Sequence, residues 1–199
     1  MSNHYYSKKP ETAHNRQAHT LVCRGHELKL MTDAGVFSKT GVDYGSRVLI
    51  EHMELKPEGN ILDVGCGYGP IGLMAAKLSP AGQVTLIDIN ERAVQLATEN
   101  AKSNGISNVE VLQSDLYEAV MEKTFDVILT NPPIRAGKAV VHRIFEEGLE
   151  LLNAGGVMWV VIQKKQGAPS ALEKLQLLYD SVEEVTRDKG YWILKAIKA

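Results

Sequence analysis

The stretch DVGCGYGPIG (63–72) places glycines at short intervals directly after the apolar run ILDV (61–64). Glycines in a turn that follows a buried strand let a ligand lie against the peptide backbone. Gly67, Gly69 and Gly72 fit the G-x-G-x-x-G spacing of a dinucleotide site, which would serve hydride transfer. Three glycines alone are a weak signal, so the neighbouring residues have to decide the chemistry.

A carboxylate stands at the head of the same stretch. Asp63, followed by Gly65, Gly67 and Gly69, gives the spacing D-x-G-x-G-x-G. Because like charges repel, a carboxylate there suits a pyrophosphate poorly and suits a ligand with an ammonium and a sulfonium. Asp88, about 20 residues further on, suits the ribose hydroxyls of either ligand. The pattern leaves hydride transfer open and favours methyl transfer.

The four residues NPPI, Asn131 to Ile134, directly follow the β-rich run FDVILT (125–130). Two prolines after a strand can simply form a stiff turn, and a residue before proline is held extended. The side-chain oxygen of Asn131 and the carbonyl of Pro132 could also accept both N–H groups of an exocyclic amine. That would aim the nitrogen lone pair at a methyl group, with Pro133 stiffening the turn. Hydride transfer has no use for this motif.

The elements that must position these residues alternate from Gly59 onward between β-rich runs and amphipathic segments. This alternation predicts an α/β protein with a mostly parallel sheet and helices on both faces. The closing hairpin at Asp188-Lys189-Gly190 would add one antiparallel strand. We expect residues 57–199 to form this core in a single domain. Residues 1–56 would be an extension packed on it, with a small hairpin turning at Arg24-Gly25 and a glycine-punctuated loop, GVFSKTGVDYGS.

Composition excludes several classes of protein. The 199 residues are 44% hydrophobic and 23% charged, with a net charge of −2, as in a soluble globular domain. Because there is no membrane-length apolar run and no signal-peptide stretch, we expect a cytoplasmic protein with no membrane partner. Cys23 and Cys66 are far apart and predict neither a disulfide nor a metal site. The basic arm, residues 1–29 with His4, could contact phosphate or could be a solvated terminus.

Together these stretches resemble the class I S-adenosylmethionine-dependent methyltransferases. The narrower resemblance is to the small methyltransferase domain family, which includes the RsmC-type ribosomal RNA guanine-N2 methyltransferases. It covers nearly the whole chain and implies a Rossmann-like, seven-stranded sheet of order 3-2-1-4-5-7-6. RsmC-type proteins often carry two copies of the domain, and we expect this chain to be a single-domain relative with the catalytic copy. The segments that carry the resemblance are GVFSKTGVDYGSRVLIE (35–51), ILDVGCGYGPIGL (61–73), VTLIDINERAV (84–94), QSDLYE (113–118), DVILTNPPIRAGK (126–138) and LNAGGVMWVV (152–161).

The resemblance implies S-adenosylmethionine as the cofactor, partly covered by a loop of the N-terminal extension. Asp63 would receive the methionine amino group through its charge or through a water. Gly65, Gly67 and Gly69 would let the methionine part lie against the turn. Asp88 would accept hydrogen bonds from both ribose hydroxyls.

On the adenine side, the resemblance places Ile89 against the ring. Asp115 would accept from the adenine amino group, with Leu116 flanking the ring. Ser114 or Asp115 could equally be the N-cap of a helix, which is a purely structural role.

For the reaction itself, the resemblance implies that Asn131 and the two prolines after it hold the target amine. Ile134 departs from the common pattern, because many N-P-P enzymes have an aromatic residue there that stacks on the base. Phe37 or Tyr44 could supply an aromatic wall instead.

The implied substrate is an exocyclic amine of structured RNA, most often guanine N2 of small-subunit 16S ribosomal RNA. Two alternatives with the same motif are protein glutamine-N5 and adenine-N6 methyltransferases, and a third is a non-catalytic nucleotide-binding module. We also expect a basic rim that contacts phosphates around the mouth of the site. Its members are Lys39, Arg47, Arg135, Lys138, Lys164 and Lys165.

Overall fold

The computed structural model describes residues 6–199; residues 1–5, with His4 of the basic arm, lie outside the described part of the chain. A two-stranded hairpin is formed by β1 (Gln17–Cys23) and β2 (His26–Thr32). The main sheet consists of β3 (Asn60–Val64), β4 (Gln83–Asp88), β5 (Val109–Gln113), β6 (Phe125–Thr130), β7 (Leu152–Gln163), β8 (Ser181–Asp188) and β9 (Tyr191–Ile197). The helices are α1 (Tyr44–His52), α2 (Pro70–Leu78), α3 (Glu91–Ser103), α4 (Lys138–Leu151) and α5 (Ala168–Leu178).

The seven strands of the main sheet lie in the order β5-β4-β3-β6-β7-β9-β8. Counted from β3 as the first strand, this is 3-2-1-4-5-7-6, and the prediction is confirmed. β9 runs antiparallel to both of its neighbours, and the other pairs are parallel. The strand order reverses between β3 and β6, where open α/β sheets bind ligands beyond the carboxyl ends of their strands. Val64 pairs with Thr130 in this register, so the glycine turn and the NPPI motif begin side by side.

The central strands are buried on both faces, as parallel strands covered by helices require. Neighbouring residues of one strand point to opposite sides of the sheet. Ile61 and Leu129 therefore belong to one hydrophobic core, and Leu62 and Ile128 belong to the other. This double burial makes the sheet a rigid base for the loops at its carboxyl edge.

The hairpin β1–β2 is docked on α3 by two asparagines. Asn100 accepts the backbone N–H of Met31 at 2.8 Å and donates to its carbonyl at 3.1 Å. Asn104 does the same for Lys29, at 2.9 and 2.8 Å. Because side-chain amides replace a strand partner here, the edge of β2 has its backbone groups satisfied without another strand.

Both predicted hairpin turns are present. Arg24 and Gly25 have φ angles of 51° and 77°, and Lys189 and Gly190 have 47° and 83°. Two consecutive residues with positive φ form the tight turn that suits the twist of a hairpin.

Two helices begin earlier than the sequence suggested. α1 starts at Tyr44, inside the stretch expected to be loop, because the Asp43 side chain accepts the N–H of Ser46 at 3.1 Å and caps the helix. α4 starts at Lys138, whereas the amphipathic pattern of the segment after the NPPI motif predicts a helix over 140–152. Within residues 6–199, the structure contains no helix with the length and apolar character needed to cross a membrane.

Candidate active site

The turn between β3 and α2 owes its shape to glycine. Gly65, Gly67 and Gly69 have φ angles of 70°, 58° and 102°, which other residues rarely adopt. Gly65 and Gly67 line a cavity at the carboxyl edge of the sheet. A Cβ atom added at either of them would meet no other atom within 4 Å, so it would project into open space. The missing side chains therefore leave room for a ligand against the backbone.

The other two glycines of the stretch 63–72 serve packing. A Cβ at Gly72 would lie 2.6 Å from the Leu86 side chain, and one at Gly69 would lie 3.0 Å from Leu73. Gly72 thus allows α2 to approach β4 closely, and Gly69 precedes the first residue of α2. Unlike Gly65 and Gly67, Gly69 does not line the cavity.

Asp88 ends β4 and lines the cavity. One carboxylate oxygen accepts the N–H of Gly67 at 2.8 Å, and the other accepts the N–H of Asn90 at 2.9 Å. Burial raises the pKa of Asp88 to about 6, although the backbone N–H donors work in the opposite direction. The predicted ribose acid therefore sits in the cavity, held at a fixed position by two loops.

Asp63 lies behind the glycine turn and not in the cavity lining. Its Oδ2 accepts the N–H of Gly72 at 2.8 Å, and its Oδ1 is buried with no partner in the described part of the chain. Burial, and secondarily the charge of Asp88, raise the pKa of Asp63 to about 7. This position suits an action through charge or an intervening water, the two routes expected from the sequence.

Asp115 lies outside the cavity lining, and its contact with the adenine amino group stays a prediction. Ser114 and Leu116 line the cavity, while Asp115 faces a shallower depression beside Lys8. Leu116 has a φ of 49°, which turns the chain sharply at this point. The Ser114 hydroxyl accepts the N–H of Ala119 at 3.0 Å, within the 3-10 turn Glu118–Val120. The N-cap of that turn is Tyr117, so neither Ser114 nor Asp115 is the capping residue.

All four residues of the NPPI motif line the cavity. Asn131 comes directly after β6, and its side-chain nitrogen donates to Ser46 Oγ at 3.0 Å and to Asp43 Oδ2 at 3.2 Å. Ile134 begins a single turn of 3-10 helix that leads into α4. The amide nitrogen of Asn131 is thus bound to the start of α1, and its side-chain oxygen makes no hydrogen bond within the described residues.

One of the two aromatic residues suggested for the wall lines the cavity. Phe37 lines the cavity and is 42% exposed. Tyr44 does not line it, because its hydroxyl donates to Asp188 at 2.8 Å and its ring lies beneath Lys189. Tyr191, at the start of β9, takes that place in the lining.

The sequence interpretation missed several residues of the site. Asn90 caps α3 and donates to the carbonyl of Gly35 at 2.8 Å, which ties the covering loop to the cavity edge. An asparagine directly before an amphipathic helix is a recognisable N-cap, so this signal was present. Tyr6 enters the lining from the N-terminal segment, whose Lys8 carbonyl accepts the N–H of Glu91 at 3.0 Å. No sequence pattern predicts that this N-terminal segment lies against the cavity.

One of the residues expected to form a basic rim lies in the cavity lining, and two are neighbours of a lining residue. Arg135 and Gln166 line the cavity, and the exposed Lys164 and Lys165 lie in the short turn after β7. The N–H of Lys164 donates to the Gly190 carbonyl at 2.7 Å, which brings the β8–β9 turn alongside. Of the other residues expected in the rim, Lys39 and Lys138 are exposed and Arg47 is half-buried, and none of them lines the cavity.

In the basic arm, two cations have partners within the chain. Arg16 pairs with Glu99, and Arg24 donates to the carbonyls of Ile50 and Met53 at 3.1 and 2.7 Å. These contacts attach the arm to the core, and they leave fewer charges there for a phosphate partner.

Comparison with known proteins assigns the chain to a family. The profile of the "Methyltransferase small domain" matches residues 27–195. YbxB of Bacillus subtilis, an uncharacterised protein, is 56% identical over 200 residues, the full length of both chains. The ribosomal RNA small subunit methyltransferase C of Serratia proteamaculans is 33% identical over 74% of this chain and 43% of its own. The ribosomal RNA large subunit methyltransferase G of Pseudomonas putida is 34% identical over 86% of this chain and 46% of its own.

Solved structures agree with this assignment. The Thermus thermophilus 16S rRNA N2 G1207 methyltransferase (RsmC), in complex with AdoMet and guanosine, has a TM-score of 0.82 at 27% identity, over 96% of this chain and 52% of that chain. A Pyrococcus furiosus methyltransferase has a TM-score of 0.67 at 28% identity, over 77% and 82%. This chain spans about half the length of the ribosomal RNA methyltransferases that it matches. With its family match and its seven-stranded fold, the chain belongs to the methyltransferase small domain family.

Proposed function

We propose that this protein transfers a methyl group from S-adenosylmethionine to an exocyclic amine of ribosomal RNA, with guanine N2 of 16S ribosomal RNA as the target. The observation that carries the proposal is the placement of Asn131. Its amide nitrogen is bound to α1, and its oxygen is left to a cavity shared with the glycine turn. The ribosomal target is supported by relatives that match 74% and 86% of the chain.

The residues at the carboxyl edge of the sheet fit S-adenosylmethionine. Gly65 and Gly67 leave open space against their backbone, and Asp88 presents a carboxylate to the same cavity. The unpartnered Oδ1 of Asp63 adds a buried acceptor behind the turn. When bound, this cofactor supplies an electrophilic methyl group on a positively charged sulfur. Carboxylates close to such a ligand stabilise its positive charge.

Asn131 would act on the acceptor nitrogen. Its Oδ1, with the carbonyl of Pro132, would accept the two N–H groups of an amine and so reduce the delocalisation of its lone pair into the ring. Fixed acceptors also orient that lone pair, and orientation is a large part of catalysis when no strong base is needed. The proton released from the methylated nitrogen can pass to water. A pair of acceptors selects a nitrogen that carries two hydrogens over a hydroxyl group.

The surroundings of Asn131 suit a nucleobase taken out of its stack. Ile134, Phe37 and Tyr191 provide apolar and aromatic surface in the same cavity. Aromatic and apolar side chains hold a flipped base by contact with its faces. The basic rim at Arg135 and Lys165 would attract the phosphates that flank the base.

Large-subunit ribosomal RNA is a second candidate target. The relative named ribosomal RNA large subunit methyltransferase G is 34% identical over 86% of this chain, a match as extensive as that to the small-subunit enzyme. Both candidates share the acceptor chemistry and differ only in the RNA that is recognised.

The test uses S-adenosylmethionine with a radioactive methyl group and ribosomal subunits from cells that lack this gene. We expect label in 16S RNA and, after nuclease digestion, in N2-methylguanosine. Asn131→Ala protein serves as the matched control and should leave the RNA unlabelled. Label in 23S RNA would favour the second candidate. Label in N6-methyladenine would show that the target base is adenine and not guanine.

The same experiment separates the remaining alternatives. Label in protein, recovered as methylglutamine, would replace RNA by a polypeptide substrate. Cofactor binding without label in the RNA or the protein of the subunits would contradict the proposed transfer and favour a nucleotide-binding module.

A further inference from the structure

The orientation of the Asn131 amide is set by two residues far away in sequence. Asp43 lies directly before α1, and Ser46 lies in its first turn. The Asn131 nitrogen is 3.2 Å from Asp43 Oδ2 and 3.0 Å from Ser46 Oγ. A carboxylate accepts hydrogen bonds and cannot donate them, so the NH₂ end of the amide must face Asp43. The oxygen end is thereby turned away from α1.

Both acceptors are themselves fixed. The same Asp43 Oδ2 accepts the backbone N–H of Ser46 at 3.1 Å, so the helix cap holds the carboxylate in place. Ser46 is only 3% exposed, which restricts its side chain. Between them, Gly45 allows Tyr191 to approach, because a Cβ there would lie 2.7 Å from the Tyr191 ring. The start of α1 is thus packed tightly against the strand that borders the cavity.

The orientation has a chemical consequence. A rotation of 180° about the last side-chain bond would present the NH₂ group of Asn131 to the cavity, and an amine substrate would then meet a donor where it needs an acceptor. A hydrogen bond to a carboxylate is also stronger than one between neutral groups. Such a bond polarises the amide and increases the negative charge on its oxygen.

We propose that Asp43 and Ser46 are positioning residues, which hold the amide of Asn131 with its oxygen toward the acceptor amine and strengthen it as a hydrogen-bond acceptor. This inference rests on the proposed N-methyltransferase function. It assigns to the N-terminal extension a part in the reaction, in addition to covering the cavity.

Three variants test the proposal. Ser46→Ala removes one acceptor, and Asp43→Asn keeps a residue that can cap α1 while it removes the charge. The third variant combines both changes. Ser79→Ala is the control, because Ser79 is fully buried and donates to the Lys56 carbonyl at 2.5 Å, away from the cavity.

The expected result is a selective loss of turnover on the acceptor found by the labelling experiment. We expect kcat to fall about 10-fold for each single change and about 100-fold for the pair, with the Kd for S-adenosylmethionine within about twofold. Unchanged kcat in the double variant, or an equal loss of kcat in Ser79→Ala, would overturn the positioning role.

A second measurement requires no substrate, and it separates this inference from the proposed function. In nuclear magnetic resonance spectra, the side-chain amide signals of Asn131 are identified by their absence from Asn131→Ala protein. We expect slow hydrogen exchange of both protons in the wild type and in Ser79→Ala, and exchange at least 10-fold faster in the double variant. Fast exchange in the wild type would refute the positioning bonds, whatever the substrate proves to be.

Discussion

Asp88 at the end of β4 accepts the backbone N–H of Gly67 at 2.8 Å, so the acid of one strand and the glycine turn of the neighbouring strand are held together. Because Asp88 also accepts from Asn90, its position is set before any ligand arrives. The carboxylate still has lone pairs for further donors. This arrangement makes Asp88 the first residue to test for cofactor binding.

Asp88→Ala should weaken the binding of S-adenosylmethionine by roughly 1–3 kcal/mol, through the loss of a charged acceptor. Titration calorimetry measures this change directly. Asp126→Asn is the control, since Asp126 lies near the start of β6, at the opposite edge of the sheet. Equal cofactor affinities of the two variants would show that Asp88 does not bind the ribose.

The affinity for the cofactor should rise with pH. Burial raises the pKa of Asp88 to about 6 and that of Asp63 to about 7, so both hold protons in weakly acidic solution. A cationic ligand favours their ionised forms, and binding must therefore release protons between about pH 5 and 7. Calorimetry in two buffers of different ionisation enthalpy counts those protons. Proton uptake, or an affinity independent of pH over this range, would contradict the electrostatic account.

The same shifts predict how the ligand-free protein responds to pH. Because the folded pKa of each carboxyl lies above its ordinary value of 3.8, the folded state binds more protons than the unfolded state between about pH 4 and 7. Stability from these groups is therefore lost as the pH rises through that window. Asp63→Asn should raise the Tm at pH 8 by several degrees and have little effect at pH 4. A Tm that falls equally at both values would refute this explanation.

Two glycine substitutions should separate ligand space from packing. Gly67→Ala places a Cβ in the open cavity at a φ of 58°, and we expect cofactor affinity to fall at least 10-fold. Gly72→Ala forces a Cβ to within 2.6 Å of the buried Leu86, and we expect a loss of about 1–3 kcal/mol in unfolding free energy. Melting curves and calorimetry on both variants provide the comparison. If Gly67→Ala bound the cofactor normally, the space beside this residue would not be the methionine site.

The basic rim predicts how RNA binding depends on salt. Lys165→Gln should weaken RNA binding and reduce the slope of log K against log salt concentration by about 1 for one lost phosphate contact. Lys102→Gln is the control, because the exposed Lys102 lies at the carboxyl end of α3, away from the cavity mouth. Filter binding at several salt concentrations measures both slopes. Equal slopes for the two variants would show that the RNA does not contact Lys165.

Much of the fold was predictable because its signals are local. Alternating β and α segments predict a mostly parallel sheet, and Lys189-Gly190 marks the closing hairpin. The strand order was implied by the family resemblance. The start of α1 was also predictable, because Asp43 is three residues before Ser46, the spacing at which an N-cap side chain accepts a backbone N–H.

The remainder of the site depends on tertiary contacts. Asp43 and Asn131 are 88 residues apart, and no spacing rule links them. Tyr191 lines the cavity and Tyr44 does not, because the register of β9 on β7 places Tyr191 opposite Gln163, at the carboxyl end of β7. Leu116, next to Asp115, has a positive φ angle. Such an angle is unusual for leucine, and no sequence pattern predicts it.

The central claim is that Asn131 holds the acceptor amine. The most direct measurement is single-turnover transfer of a labelled methyl group to 16S RNA by wild-type and Asn131→Ala protein, with the Kd for S-adenosylmethionine determined on the same samples. The account predicts that transfer is abolished in the variant while the Kd changes by no more than a few fold. Transfer at the wild-type rate by Asn131→Ala, with the cofactor bound, would contradict it.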